Sequence, residues 1–178
     1  ASRLGLETAV LATDWRRGVD PQQVEDRLRV DTENKIKAVC IVHNETSTGS
    51  ASRVNEVRLA MNKAGHDALL LADTISSLGS IDFRHDEWGV DVTVAGSQKG
   101  LMLPPGLSFN AVSEKALAVA SKGGMRRSSW DCAEQIAANK DGAFPFTPAT
   151  NLLYGLAEAI DMLHEEGLDN VFKRHDRH

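Results

Sequence analysis

The residues best suited to chemistry stand at the ends of three short apolar segments. Lys99 follows the segment "DVTVAGSQ", Asp73 closes the segment "ALLLAD", and the polar stretch "HNETSTG" begins at His43. In a parallel sheet, binding sites lie outside the carboxyl ends of the strands. If the three segments are parallel strands, these polar groups converge at one edge of the sheet.

The combination of a lysine and an aspartate indicates a particular chemistry. A partly desolvated lysine loses its proton more readily, and its neutral amine can then attack a carbonyl carbon. An aspartate at a neighbouring strand end can hold a proton on a heteroaromatic nitrogen. Pyridoxal phosphate requires both groups, since it forms a Schiff base with a lysine and needs a carboxylate beside its pyridinium nitrogen.

Each of these residues also has a simpler interpretation. A lone lysine after a strand is usually a surface residue, and an Asp-Thr pair at a strand end is usually a turn or a helix cap. A single histidine such as His43 is more typical of a packed or hydrogen-bonded side chain than of a metal ligand or a catalytic base. The segment "GSQKG" lacks the glycine spacing of a phosphate-binding P-loop. Spacing and composition alone therefore predict an α/β domain with a lysine-centred site as one interpretation.

Segments with strand and helix patterns alternate along the first half of the chain. The apolar runs at 37–43, 68–73 and 91–96 predict buried parallel strands, and 107–112 is a candidate fourth strand. Asp20 followed by proline predicts a helix start, and a long amphipathic helix is predicted from Thr147 to Gly167. This alternation predicts an α/β layer fold with helices on both faces of a largely parallel sheet.

The composition is typical of a soluble globular protein. The chain has 178 residues, 42% hydrophobic and 25% charged, with a formal net charge of −5, which argues against nucleic acid and anionic membrane surfaces as partners. Cys40 lies in an apolar run and is predicted to be a small core residue. Cys132 has no neighbour at metal-ligand spacing, so no metal site is predicted. The basic patch from Lys122 to Arg127 is interpreted as solvated surface.

Four segments carry a resemblance to a known family. In chain order they are "VHNETSTG", "LLLADTISSLGS", "DVTVAGSQKGLMLPPGL" and "FPFTPATNLLYGLAEAIDMLHEEGLDNVFKRH". Together they resemble the central large-domain portion of the class V, fold-type I pyridoxal-phosphate aminotransferases, in the alanine–glyoxylate group and nearest its serine–glyoxylate branch. The resemblance covers almost the whole chain. It implies a three-layer α/β/α large domain with a mostly parallel sheet.

This resemblance implies roles for three residues at the reacting end of pyridoxal phosphate. Lys99 would form the Schiff base and move the proton between the substrate α-carbon and the cofactor. Asp73 would pair with the pyridinium nitrogen, and Ile75 would pack on one face of the ring.

Further roles follow from the same resemblance. Thr46 would donate a hydrogen bond to the cofactor 3′-oxygen, and it would bind the substrate together with Asn44 and Lys99. Gln98 would contact the phosphate. Thr147 would reach the phosphate in a partner subunit, so the site would lie at the interface of a homodimer. Phe144 stands where relatives can carry a phosphate-binding tyrosine.

The implied reaction converts serine and glyoxylate to hydroxypyruvate and glycine, with alanine as an alternative amino donor. A cysteine desulfurase of the same fold is a rival, although desulfurases need a nucleophilic cysteine in a later loop and usually a histidine at the position of Gln98. A non-catalytic α/β fragment is the rival of a different class.

Residues 1–178 are expected to be the central part of the large domain. The small-residue phosphate loop expected upstream and the C-terminal small domain expected downstream are not in the sequence, and Arg174 and Arg177 come too early to clamp the substrate carboxylate. Related enzymes occur in bacterial cytoplasm and in peroxisomes, so the expected compartment is cytoplasmic in a bacterium and peroxisomal in a eukaryote.

Overall fold

The computed structural model describes residues 1–123 and 128–178, and its strands form one four-stranded sheet. The strands lie in chain order across the sheet: β1 (Ala38–Val42), β2 (Leu69–Asp73), β3 (Val92–Gly96) and β4 (Ser108–Val112). β1, β2 and β3 are parallel, and β4 is antiparallel to β3. The predicted α/β class and largely parallel sheet are confirmed.

Six α-helices lie within the described ranges. They are α1 (Pro21–Arg29), α2 (Val54–Ala64), α3 (Glu114–Ala120), α4 (Cys132–Lys140), α5 (Thr150–Glu166) and α6 (Leu168–Asp176). Short 3₁₀ turns cover Ser2–Leu4 and Ser128–Trp130.

The predicted helix start at Asp20 is confirmed by its capping hydrogen bond. The Asp20 carboxylate accepts from the backbone N–H of Gln22 at 3.0 Å, and Pro21 occupies the first helical position. The long helix predicted from Thr147 begins three residues later, at Thr150, because the backbone turns at Pro148 before the helix starts. α4 was not predicted, since none of its side chains is buried and an exposed helix lacks a clear apolar stripe.

An apolar core joins α1 and α2 to one face of the sheet. The register pairs Val39 with Leu70 and Ile41 with Ala72, which places these four side chains on the same face. The buried members of this core are Val24, Leu28, Ile41, Val54, Val57, Met61, Ala68, Leu70, Ala72 and Val90. The core holds β1 and β2 against the helices and so fixes the edge at which both strands end.

Cys40 is exposed, and its predicted place in the core is wrong. β1 is the outermost strand on one side of the sheet, and its side chains alternate between the two faces. Ile41 points into the core and is 5% exposed, whereas Cys40 and Val42 point to the opposite face. A nearly continuous apolar run does not reveal that only one of its faces is packed.

A buried ion pair fixes the amino ends of the strands, opposite the edge that carries the candidate site. The Asp91 carboxylate accepts from the Arg58 guanidinium at 2.5 Å, from the backbone N–H of Leu70 at 2.8 Å and from the Ser113 hydroxyl at 3.0 Å. Burial alone would raise the pKa of Asp91, but these donors outweigh it and lower that pKa. The cluster thus joins α2 to the sheet.

Two further points concern the surface of the chain. Of the basic patch from Lys122 to Arg127, residues 124–127 lie outside the described residues. Among the helices of the described ranges, none has both the length and the apolar character that crossing a membrane demands.

Candidate active site

The carboxyl ends of three adjacent parallel strands bring the predicted residues to one edge of the sheet. Asp73 is the last residue of β2, and it pairs with Val42 on one side and Val94 on the other. Asn44 begins the loop after β1, and Lys99 lies three residues past the end of β3. Because β2 is flanked by β1 and β3, the Asp73 carboxylate stands between the other two loops.

The backbone around Asp73 is held rigidly while its carboxylate is exposed. The buried Thr74 binds the carbonyl of Val94 twice, through its backbone N–H at 2.8 Å and its hydroxyl at 3.0 Å. The Asp73 carboxylate accepts from the N–H of Ile75 at 2.9 Å through Oδ1, so it does form the turn that its sequence predicted. Oδ2 has no hydrogen-bond partner in the part of the chain that the structure describes, which leaves one oxygen available.

His43 joins the loop after β1 to the turn after β2. It is 4% exposed, and its Nδ1 lies 2.9 Å from the hydroxyl of Ser77, which is fully buried. Its ring packs against Phe83 and Trp88, with centroid distances of 5.2 and 6.1 Å. Burial lowers the pKa of His43, against the opposing charge of Asp82. The interpretation of His43 as a packed, hydrogen-bonded histidine is confirmed.

A second contact between the same two segments involves Thr46. The Thr46 hydroxyl forms a hydrogen bond with the hydroxyl of Ser76. Thr46 itself is exposed. Asn44, which is half-buried, forms an isolated antiparallel bridge with Ala51 that closes the loop. Within the loop the Glu45 carboxylate accepts from the N–H of Ser47 at 2.8 Å, which lowers the pKa of Glu45. The loop is therefore ordered by its own hydrogen bonds.

Lys99 stands in a closed loop that projects past the sheet edge. The Lys99 carbonyl accepts from the N–H of Met102 at 2.8 Å, and the next residue, Gly100, packs against the backbone of Leu78. Lys99 and Gln98 are exposed, and neither side chain has a hydrogen-bond or ionic partner in the ranges 1–123 and 128–178. The desolvation that the sequence argument assumed for Lys99 is therefore not supplied by the described residues.

The remaining predicted residues divide into two groups. Ile75 is half-buried and follows Asp73 by two residues, so it lies in the same turn. Thr147 and Phe144 are exposed and precede α5, and no described contact joins either residue to the sheet edge. Arg174 forms two hydrogen bonds of 2.8 Å with the Glu166 carboxylate, so its guanidinium is already paired.

An open cleft lies next to this edge, between the turn after β2 and α6. Asn44 and Ser76 line it on the sheet side. Phe172 and Lys173 line it on the α6 side. The cleft gives Asn44 an accessible surface beside the predicted cofactor residues.

Comparison with known proteins identifies the family to which this chain belongs. The model of the family "Aminotransferase class-V" matches residues 1–178. The chain belongs to the class V aminotransferases. Members of this family and its fold-type I structural neighbours are pyridoxal-phosphate enzymes, and the family predicted from the sequence is confirmed.

Two curated relatives are glyoxylate-using aminotransferases. The chain is 49% identical to a serine–glyoxylate aminotransferase of Methylorubrum extorquens, over 98% of this chain and 45% of the relative. It is 42% identical to an L-aspartate–glyoxylate aminotransferase of Paracoccus denitrificans, over 98% of this chain and 44% of the relative. The chain thus spans somewhat less than half the length of these relatives.

A solved structure supports the fold. The chain superimposes on an alanine–glyoxylate aminotransferase from Nostoc sp. with a TM-score of 0.86 and 28% sequence identity, over 99% of this chain and 46% of that one. The fold-type I assignment made from the sequence is confirmed.

Three serines contribute to the site although the sequence did not single them out. Ser76 and Ser77 bind Thr46 and His43, and Ser97 closes the base of the Lys99 loop. Their partners are distant in the chain or beyond a turn, so local pattern carries little information about them. The one available signal was the pair of serines that follows Asp73 within a single turn.

Proposed function

We propose that this chain is the central part of the large domain of a pyridoxal-phosphate-dependent aminotransferase that converts serine and glyoxylate to hydroxypyruvate and glycine. The observation that carries the proposal is the position of Lys99, Asp73 and Thr46 at one sheet edge in a class V chain. Glyoxylate is common to the names of all three similar proteins, whereas the amino donor differs among them. The higher identity to the serine enzyme favours serine as the donor, with alanine as the alternative.

The groups at this edge fit pyridoxal phosphate. Asp73 offers a carboxylate oxygen with no described partner, and Lys99 offers an exposed amine in an anchored loop. Gln98 adds an exposed amide that can donate to a phosphate oxygen. The set therefore contains a nucleophile, a carboxylate to pair with a protonated ring nitrogen, and a hydrogen-bond donor for the phosphate. These are the functions that this cofactor requires.

The chemistry of the reaction divides between the cofactor and these side chains. Pyridoxal phosphate, when bound, supplies an aldehyde carbon and a conjugated ring that withdraws electrons from the α-carbon of the amino acid. Lys99 would hold the cofactor through its amine and would serve as the base that takes the proton from the α-carbon of the donor and returns it. Asp73 would hold the proton on the ring nitrogen, because an adjacent carboxylate favours the charged form.

The other residues orient the reacting groups. The Thr46 hydroxyl, which already contacts Ser76, would donate a hydrogen bond to the cofactor 3′-oxygen, and the Ile75 side chain would pack on the ring. Asn44 binds the substrate from the cleft beside the edge. Thr147 precedes α5 and has no described contact with this edge, and the family resemblance implies that it reaches the phosphate in a partner subunit of a homodimer.

The test is to map the lysine that carries the cofactor in the full-length protein. Pyridoxal phosphate is added, the imine is reduced with borohydride, and the labelled peptide is sequenced. We expect the label on Lys99 and none in Lys99→Ala, whereas Lys63→Ala, which removes an exposed lysine on α2, should label normally. A folded wild-type protein without label on Lys99 would contradict the cofactor assignment and favour a non-catalytic module.

Assays with amino acids distinguish the reactions. We expect serine-dependent consumption of glyoxylate, and Lys99→Ala should lose it by at least about a thousandfold, because the proton-transfer group is gone. Turnover of cysteine to alanine and sulfide would instead indicate a desulfurase. Cys40 on β1 and Cys132 at the start of α4 both lie outside the three loops at the sheet edge.

A further inference from the structure

We propose that Ser97 is a positioning residue that fixes the loop carrying Lys99, an inference that rests on the proposed function of Lys99. Ser97 directly follows β3 and is 0% exposed, whereas the next two residues, Gln98 and Lys99, are exposed. The chain thus passes from a buried anchor to the reactive amine within two residues.

The anchor consists of four hydrogen bonds made by Ser97. Its hydroxyl donates to the carbonyl of Pro104 at 2.7 Å and accepts from the N–H of Leu107 at 3.2 Å. Its backbone N–H donates to the carbonyl of Leu107, and its own carbonyl accepts from the N–H of Leu103, both at 3.1 Å. A single residue therefore closes the loop 97–107 at its base, through both its side chain and its backbone.

The hydroxyl has a separable part in this arrangement. In Ser97→Ala the two backbone hydrogen bonds can persist, but the Pro104 carbonyl loses its hydroxyl donor and the Leu107 N–H loses an acceptor, in two part-buried contacts. Removing one partner of a hydrogen bond that is shielded from water is costly, so the base of the loop should open more often. The sheet itself, whose register does not depend on the Ser97 side chain, should remain formed.

Opening at the base of the loop displaces the nearby Lys99 amine. Only Gln98 separates Ser97 from Lys99, and the Lys99 turn is closed by a hydrogen bond from Met102 to its own carbonyl. A change in the direction of the chain after β3 therefore moves Lys99 as a unit relative to Asp73. Since reaction with a bound aldehyde requires close alignment, a loop that is open part of the time reacts more slowly.

The experiment compares Ser97→Ala with Ser108→Ala in the full-length protein. Ser108 is an exposed serine that pairs with Gly96 across β3 and β4, so its variant controls for loss of a hydroxyl beside the same strand. Amide hydrogen exchange is measured without cofactor at Leu103 and Leu107. The rate at which pyridoxal phosphate becomes reducible onto Lys99 is measured separately.

In Ser97→Ala we expect exchange at Leu103 and Leu107 to rise about tenfold, with exchange in β2 unchanged, and formation of the Lys99 adduct to slow about tenfold. Ser108→Ala should match wild type in both measurements. Ser97→Cys, which keeps a weak donor of similar size, should fall between serine and alanine.

Three results would overturn the inference. The first is wild-type exchange and a wild-type adduct rate in Ser97→Ala. The second is a uniform rise in exchange across all strands in both Ser97 variants, which would mean a general structural role. The third is the absence of any Lys99 adduct in wild type, which would defeat the proposed function and this inference with it, whereas the first two leave the function standing.

Discussion

Gly100 and Leu78 are in backbone contact: a Cβ on Gly100 would lie 2.3 Å from the Leu78 carbonyl oxygen and 2.6 Å from the Ser80 hydroxyl. Through this contact the segment that carries Lys99 packs closely against the turn that follows Asp73. The two residues proposed to hold opposite ends of the cofactor ring are thus related by direct packing of their loops. Only glycine leaves room for this approach.

Replacing Gly100 should therefore damage the site more than the fold. In Gly100→Ala the Leu78 carbonyl is backbone and cannot turn aside, so the two loops must separate. We expect affinity for pyridoxal phosphate to fall at least about tenfold, because Lys99 and Asp73 no longer bind the same molecule at once. Titration of the cofactor by absorbance measures this effect.

Gly142→Ala is the matched control for that change. Gly142 has a φ of +69°, and no atom lies within 4 Å of the place a Cβ would take, so alanine there adds local strain of about 1 kcal/mol without a clash. Equal cofactor affinity in the two variants would show that the Gly100 contact does not set the site.

The sequence predicted much of this sheet edge because the signals were local. Apolar runs marked all four strands, and Asp20 with Pro21 marked the first helix. Asp73 and Lys99 were placed at this end of the sheet because a strand end is visible in the chain as the point where apolar residues give way to polar ones. Parallel neighbours then bring such ends together without further information.

Features that depend on distant partners could not be predicted in this way. The antiparallel direction of β4 follows from its pairing with β3, and the exposure of Cys40 follows from the place of β1 at the sheet edge. The hydroxyl contact of Thr46 with Ser76 joins residues 30 positions apart. Its formation depends on how the two loops meet, which no local periodicity encodes.

Asp73→Asn tests the carboxylate proposed to hold the ring proton. Asparagine retains an oxygen that can accept from Ile75, so the turn should persist, but it cannot stabilise a positive ring nitrogen. We expect the rate of α-proton removal from serine to fall at least about a hundredfold, together with weaker cofactor retention. Stopped-flow exchange of the α-hydrogen measures the first effect.

Asp67→Asn is the corresponding control at the other end of β2. Asp67 is exposed and precedes the strand, so its change removes the same charge far from the site edge. If Asp67→Asn and Asp73→Asn slow proton removal equally, the effect is a general one of net charge and Asp73 does not hold the ring proton.

His43 should make the stability of the fold fall as the pH drops below about 6.5. Burial lowers its pKa in the folded protein, whereas the unfolded chain binds a proton at about 6.5. The stability contributed by neutral His43 is therefore complete above about pH 6.5 and declines as the pH falls toward its folded pKa. The limiting slope is about 1.4 kcal/mol per pH unit for one proton.

Unfolding of His43→Gln by urea at several pH values measures this contribution. The variant should be less stable at pH 7, since it loses ring packing and the Ser77 contact, and it should show a flatter pH profile than wild type. His164→Gln, at an exposed position on α5, should leave the profile unchanged. A wild-type slope in His43→Gln would assign the pH dependence to another group.

The Arg58–Asp91 pair should stabilise the fold without contributing to chemistry. Arg58 and Asp91 are 13% and 6% exposed, so Arg58→Met leaves a buried carboxylate with two donors and no counter-ion. We expect a loss of about 3–5 kcal/mol in the free energy of unfolding. Because the Asp91 pKa is lowered in the fold, its stabilisation is present above about pH 4 and lost as the pH falls further.

A double-mutant cycle with Asp91→Asn separates the pair from its surroundings. If the two charges stabilise each other, the double variant loses less than the sum of the single changes, by at least about 1 kcal/mol. Arg84→Met supplies the surface comparison, because Arg84 is 53% exposed and solvent screens its ion pairs, so its loss should be much smaller than that of Arg58. Additive losses at Arg58 and Asp91, equal in size to the loss at Arg84, would mean that burial does not strengthen this pair.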